Sequence, residues 1–76
     1  MIRVYYSLEG QSFGRDFTSL GEALAFAEDN PDNTTVVASD GIHLIRRFTF
    51  QHGMLTGYDV ARHGRMVDLL NKENAA

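Results

Sequence analysis

The chain has 76 residues, a formal net charge of -3 and 43% hydrophobic residues, with one proline and no cysteine or tryptophan. This composition is typical of one globular domain and unlike that of disordered chains. The net negative charge disfavours binding of nucleic-acid phosphates as the main role. The lack of cysteine excludes disulfides and thiolate metal sites.

The first two segments predict a β-hairpin. The apolar residues of segment 2–8 fall on alternate positions, namely Ile2, Val4, Tyr6 and Leu8. Such alternation is typical of a strand with one buried face. Residues 9–12, Glu-Gly-Gln-Ser, are typical of a turn. Residues 13–17 then alternate again, with Phe13, Arg15 and Phe17 on one face. We therefore expect two antiparallel strands joined by this turn.

A helix is predicted between Ser19 and Asn30. Ser19 is followed three residues later by Glu22, which is the spacing of a capping box. Apolar residues then recur at helical spacing: Leu20, Ala23, Leu24, Phe26 and Ala27. Asn30 precedes Pro31, and the residue before a proline is pushed out of the α region. We expect Asn30 to end the helix, with a left-handed cap.

Three further strands are predicted, over residues 34–39, 42–51 and 54–60. The first is rich in β-branched residues, and Asp40-Gly41 after it is a strong signal for a two-residue hairpin turn. His52-Gly53 offers a second turn of that kind, because glycine accepts a positive φ freely. Both connections therefore predict antiparallel pairing.

The C-terminal segment predicts a short amphipathic helix over residues 62–74, with a frayed tail at residues 73–76. Its apolar residues cluster at one to four residue separations: Met66, Val67, Leu69 and Leu70. The predicted fold is therefore α+β, a single domain over residues 1–72. Its antiparallel sheet has about five strands, and the element order is β-β-α-β-β-β-α.

The two-residue turns also predict which residues face each other. They place Val37 opposite Leu44, Val36 opposite Ile45, Phe50 opposite Leu55, and Arg47 opposite Tyr58. The expected core face holds Val37, Ile42, Leu44, Phe48, Phe50 and Leu55. The other face holds Val36, Ala38, Ile45, Tyr58 and Val60. This second face is too apolar to be left in water. Either the C-terminal helix covers it, or the two helices share both faces unequally, or a second protomer or a partner protein covers it.

Arg46 falls within the expected core face and opposite Asp59. A guanidinium in that position needs a partner, because an unpaired buried charge costs several kcal/mol. A cross-strand ion pair or a bulge at Arg46-Arg47 would satisfy it. Alternatively, Arg46 and Arg47 gather with Arg62 and Arg65 into a docking patch.

Motifs that bind phosphates, dinucleotides, calcium or zinc are missing from the chain, and so is the nucleophile motif of α/β-hydrolases. None of the three histidines, His43, His52 and His63, has a second ligand at a usual metal spacing. We therefore expect no cofactor, no metal and no enzymatic activity. An enzyme would need a pocket that joins His43 or His63 to a carboxylate.

These observations favour a small, cytoplasmic, non-enzymatic module that binds another protein or a second protomer. We expect it not to bind a membrane. A regulatory role is expected, such as inhibition of a host machine by a phage or mobile-element product. Nucleic-acid binding through an arginine and aromatic patch is the alternative. The candidate interaction residues of these two hypotheses are Ile45, Arg46, Arg47, Tyr58, Arg62, His63 and Arg65.

Overall fold

A computed structural model of the protein describes residues 2–40 and 44–62. The described residues form five strands and one helix. In chain order these are β1 (Ile2–Leu8), β2 (Gln11–Phe17), α1 (Leu20–Asp29), β3 (Asn33–Asp40), β4 (Leu44–Gln51) and β5 (Met54–Arg62). All neighbouring strands pair antiparallel, in the sheet order β2-β1-β3-β4-β5.

The predicted order with a second, C-terminal helix is wrong. The described residues follow the order β-β-α-β-β-β and contain one helix. Arg62, where the second helix was expected to begin, is the last residue of β5 and pairs with Leu44. The strand continues past Val60 because β4 extends far enough to offer backbone partners to Ala61 and Arg62. The remainder of the predicted helix, residues 63–74, and the predicted tail lie outside the described residues.

Helix α1 has the predicted limits. The Ser19 side chain accepts a hydrogen bond from the backbone N–H of Glu22 at 3.4 Å, which caps the first turn. Asn30 ends the helix, and its N–H donates to the carbonyl of Phe26 at 3.1 Å. The expected left-handed cap is wrong, since Asn30 is extended with φ -79°. The following Pro31 forces that conformation.

Two tight turns close the outer hairpins. Glu9-Gly10 joins β1 to β2, and His52-Gly53 joins β4 to β5, each with positive φ at both residues. The second turn confirms the prediction. The first is shorter than expected, because Gln11 and Ser12 already belong to β2 and pair with β1.

The core lies between α1 and the sheet, mainly against β3, β1 and β2. Its buried apolar side chains are Val4, Ala23, Ala27, Val36 and Phe50. The alternation predicted for β1 is confirmed, because Ile2, Val4 and Tyr6 all contribute to this layer. Helix α1 packs on one part of the sheet, and this limited cover determines which strand faces stay exposed.

The predicted register between β3 and β4 is wrong by three residues. Val36 pairs with Phe48, Val37 with Arg47 and Ser39 with Ile45. Asp40 pairs with Leu44, so three residues connect the strands and the expected two-residue turn does not form. An odd shift moves every side chain of β3 to the other face. Val36 and Ala38 are therefore buried in the core, and Val37 lies on the reverse face.

The register between β4 and β5 is confirmed at the turn and wrong beyond it. Phe50 pairs with Leu55 as predicted, whereas Thr49 pairs with Gly57, so Thr56 is an extra residue in β5. This β-bulge shifts the remaining pairs by one residue. Arg47 consequently faces Asp59, where Tyr58 was expected.

The neighbouring position changes in the same way, since Arg46 faces Val60 and not Asp59. Tyr58 and Val60 were expected on the reverse face. Both lie on the helix side of the sheet. Their partners on β4, Phe48 and Arg46, alternate along that strand with Arg47, which faces the reverse side.

Within the described residues, helix α1 is not long and apolar enough to span a membrane.

Candidate protein-binding surface

The helix side of β4 and β5 carries a row of apolar side chains beyond the cover of α1. We call it the β4–β5 strip; its members are Leu44, Phe48, Leu55, Tyr58 and Val60. Leu55, Tyr58 and Val60 are 54%, 51% and 50% exposed, and Leu44 is 40% exposed. Leu44 and Leu55 were expected in the core. They lie on the predicted face, but the helix packs chiefly on the other strands.

Phe48 joins the strip to the core. It packs against the buried cluster and also contacts Tyr58, with ring centroids 4.8 Å apart and an interplanar angle of 44°. Tyr58 and Val60 occupy alternate positions of one strand, so their side chains lie side by side. Phe48, Tyr58 and Val60 therefore form a continuous group whose inner end is held by the core, while Arg46 lies on the same face between Leu44 and Phe48, opposite Val60. Contiguous exposed apolar side chains of this kind mark binding surfaces more often than scattered ones do.

The reverse face of the same two strands has a different chemistry. Arg47 is only 3% exposed there, and its guanidinium forms an ion pair with Asp59 on the adjacent strand. The Asp59 carboxylate remains partly exposed, at 39%. Because the guanidinium is buried and already held by a carboxylate, Arg47 serves the packing of the sheet. Ile45, half-buried, lies on this reverse face as well.

The structure divides the predicted interaction residues between two faces. Arg46 and Tyr58 lie on the helix side, whereas Ile45 and Arg47 lie on the reverse side. Arg62 ends β5, and His63 and Arg65 fall outside the described residues. The predicted patch therefore does not form one surface on β4 and β5. Leu44 and Leu55 were missed as surface residues, because no sequence signal shows how far a helix covers a sheet.

A shallow hollow of about 280 Å³ lies near the C-terminal end of α1. Its lining comprises Tyr6, Leu8, Phe26, Asp29, Asn30 and Pro31. Asn30 is the polar residue best placed to bind a ligand, but its side chain already bonds to the Ser7 carbonyl, the Thr34 hydroxyl and the Asp32 N–H. Its amide therefore holds the chain together and is not free for a ligand.

The histidines offer no catalytic grouping among the described residues. His52 lies in the β4–β5 turn, with Nδ1 2.9 Å from the carbonyl oxygen of Pro31. His43 and His63, the residues considered for an enzyme, lie outside the described ranges. Within residues 2–40 and 44–62, there is no cluster of three or more side chains suited to hold a metal ion.

Comparisons with protein-family models, curated proteins and solved structures gave no significant match.

Proposed function

We propose that this protein is a non-enzymatic interaction module that binds another protein chain through the β4–β5 strip. The proposal rests on the row of half-exposed apolar side chains on β5, one of the two edge strands of the described sheet. These side chains are Leu55, Tyr58 and Val60. Burying apolar surface is the main driving force of protein association, at roughly 25 cal/mol per Å². A partner seated on this strip would remove that surface from water.

The strip has two properties of a binding surface. Its residues lie on paired strands, so their backbone is fixed before a partner arrives and little ordering is needed on binding. It also contains a tyrosine, a residue enriched at interfaces because a rigid ring carries both apolar area and a hydroxyl group. Inhibition of a host machine remains a prediction about the biological use of such binding.

Nucleic-acid binding is less well supported. It relied on a patch of Arg46, Arg47, Arg62, His63 and Arg65 beside Tyr58. Of these, Arg46 and Arg47 point to opposite faces of β4. The guanidinium of Arg47 is also buried and paired with Asp59. A fluorescent oligonucleotide titrated at several salt concentrations tests this alternative, which requires binding that weakens steeply as salt rises.

A photo-crosslinking experiment tests the proposed function. Tyr58 and Tyr5 form a matched pair, because they are 51% and 52% exposed but lie on opposite faces of the sheet. Each is replaced in turn by p-benzoylphenylalanine, and the protein is irradiated in cells of its source. We expect position 58 to give one discrete protein adduct that position 5 does not give. Equal adducts from both positions, or none from position 58, would overturn the proposal.

A further inference from the structure

Strand β5 is an edge strand of the described sheet, and past the bulge at Thr56 it has few of the features that protect such edges. It pairs with β4 on one side, so alternate N–H and C=O groups point away from the sheet on the other. It contains no proline or lysine, and its Asp59 is held on the reverse face by Arg47. Exposed edges of this length and apolar character can pair with a further strand.

The opposite edge strand, β2, differs in its chemistry. Arg15 and Asp16 lie near its C-terminal end, and Asp16 forms an exposed ion pair with Arg3 of β1 at 3.0 Å. Arg15 lies over the rings of Phe17 and Phe26. Charged side chains along an edge discourage pairing with another chain. Of the two edges, β5 is therefore the one suited to pairing.

We propose that β5 pairs antiparallel with β5 of a second copy of this chain. This inference rests on the proposed function and adds a second copy along the edge of β5, the strand that carries Leu55, Tyr58 and Val60 of the strip. The two-fold axis stands perpendicular to the sheet, so the β4–β5 strips of both copies lie on the same side. The two strips then lie next to each other on one face of a ten-stranded sheet.

The charges on β5 select one register for this pairing. A two-fold axis through Val60 places Val60 opposite Val60 of the second copy, Asp59 opposite Ala61, and Tyr58 opposite position 62. No carboxylate faces another carboxylate in this arrangement.

Two registers nearer the β4–β5 turn are less favourable. An axis through Asp59 would set the two Asp59 carboxylates directly opposite each other, and like charges in that position are destabilising. An axis through Tyr58 would bring Thr56, the extra residue of the bulge, into the paired segment. A bulge disrupts the regular ladder of hydrogen bonds. The regular part of β5 thus favours the axis through Val60.

The lack of cysteine in the chain allows a direct test by disulfide trapping. In the proposed register, Val60→Cys places two thiols on directly opposed positions, within the range that a disulfide bridges. Leu55→Cys is the matched control, on the same strand and the same face with similar exposure. Its two copies would lie ten residues apart along the strands, about 33 Å. We expect Val60→Cys to oxidise to a covalent dimer under conditions where Leu55→Cys stays monomeric.

Sedimentation equilibrium on the unmodified chain completes the test. We expect a reversible dimer whose Kd rises at least about tenfold with Val60→Lys and changes little with Met54→Lys, at an exposed residue of β5 outside the strip and outside the paired segment, with both variants folded by circular dichroism. Equal trapping of both cysteine variants, or a wild-type monomer at about 1 mM, would overturn the second-copy inference. If Tyr58 then crosslinks to a different protein, the proposed function still stands. If position 58 crosslinks to nothing, both fail.

Discussion

Replacement of Gly53 by alanine tests how the β4–β5 turn meets the helix. Gly53 has φ +78°, and a Cβ atom built on it would clash with the backbone oxygen of Glu28. The left-handed conformation costs an L-residue about 1–2 kcal/mol. The clash is with backbone, so the turn or the end of α1 must move, and overpacking of that kind costs about 1–3 kcal/mol. We expect a total loss of about 2–5 kcal/mol.

Gly10→Ala is the matched control for that variant. Gly10 has φ +82°, and nothing lies within 4 Å of a Cβ atom built there. It should therefore lose only the conformational part, about 1–2 kcal/mol. A domain of this size has roughly 4–11 kcal/mol of stability in total, so the difference is large enough to measure.

Urea unfolding followed by circular dichroism gives the free energy of unfolding for each variant. In thermal unfolding, each kcal/mol should lower Tm by about 4–8 °C. Equal losses for Gly53→Ala and Gly10→Ala would refute the close approach of the turn to Glu28. A stable Gly53→Ala protein would refute the assigned turn itself.

Four further substitutions have expected effects on the free energy of unfolding. Asn30→Ala should cost about 2–3 kcal/mol in urea unfolding, because it removes the buried amide that bonds to Ser7, Asp32 and Thr34; a loss below about 0.5 kcal/mol would contradict this network. Asp59→Ala should cost about 2 kcal/mol, because it removes the carboxylate that pairs with buried Arg47. Asp16→Ala, which breaks the exposed pair with Arg3, should cost under about 1 kcal/mol. Equal losses for the two variants would show that burial of the ion pair does not determine its contribution. Ser19→Ala should cost about 1 kcal/mol, and an unchanged midpoint would mean that the side-chain cap contributes nothing.

The elements governed by local chemistry could be predicted from the sequence. Ser19 and Pro31 determine both ends of α1 through capping and steric exclusion, which act within a few residues. His52-Gly53 forms the predicted turn for the same reason. The face of β1 was also predicted correctly, because its apolar and polar residues alternate without ambiguity.

The register of β3 could not be predicted in this way. Its two faces have nearly equal chemistry, with Thr34, Val36 and Ala38 on one and Thr35, Val37 and Ser39 on the other. Hydrophobic patterning therefore does not select a face, and the prediction depended on the length of one turn. Three residues connect β3 to β4 where two were expected, and that odd difference reversed the faces.

The candidate site depends on one residue whose effect is not visible in the sequence. Without the bulge at Thr56, Asp59 would lie on the helix side, and Tyr58 and Val60 would lie on the reverse face. The extra residue exchanges them, so Asp59 meets Arg47 while Tyr58 meets Phe48. Both outcomes are favourable, because the buried guanidinium gains a carboxylate and the edge strand gains an apolar row. The bulge therefore creates the ion pair and the proposed binding surface together.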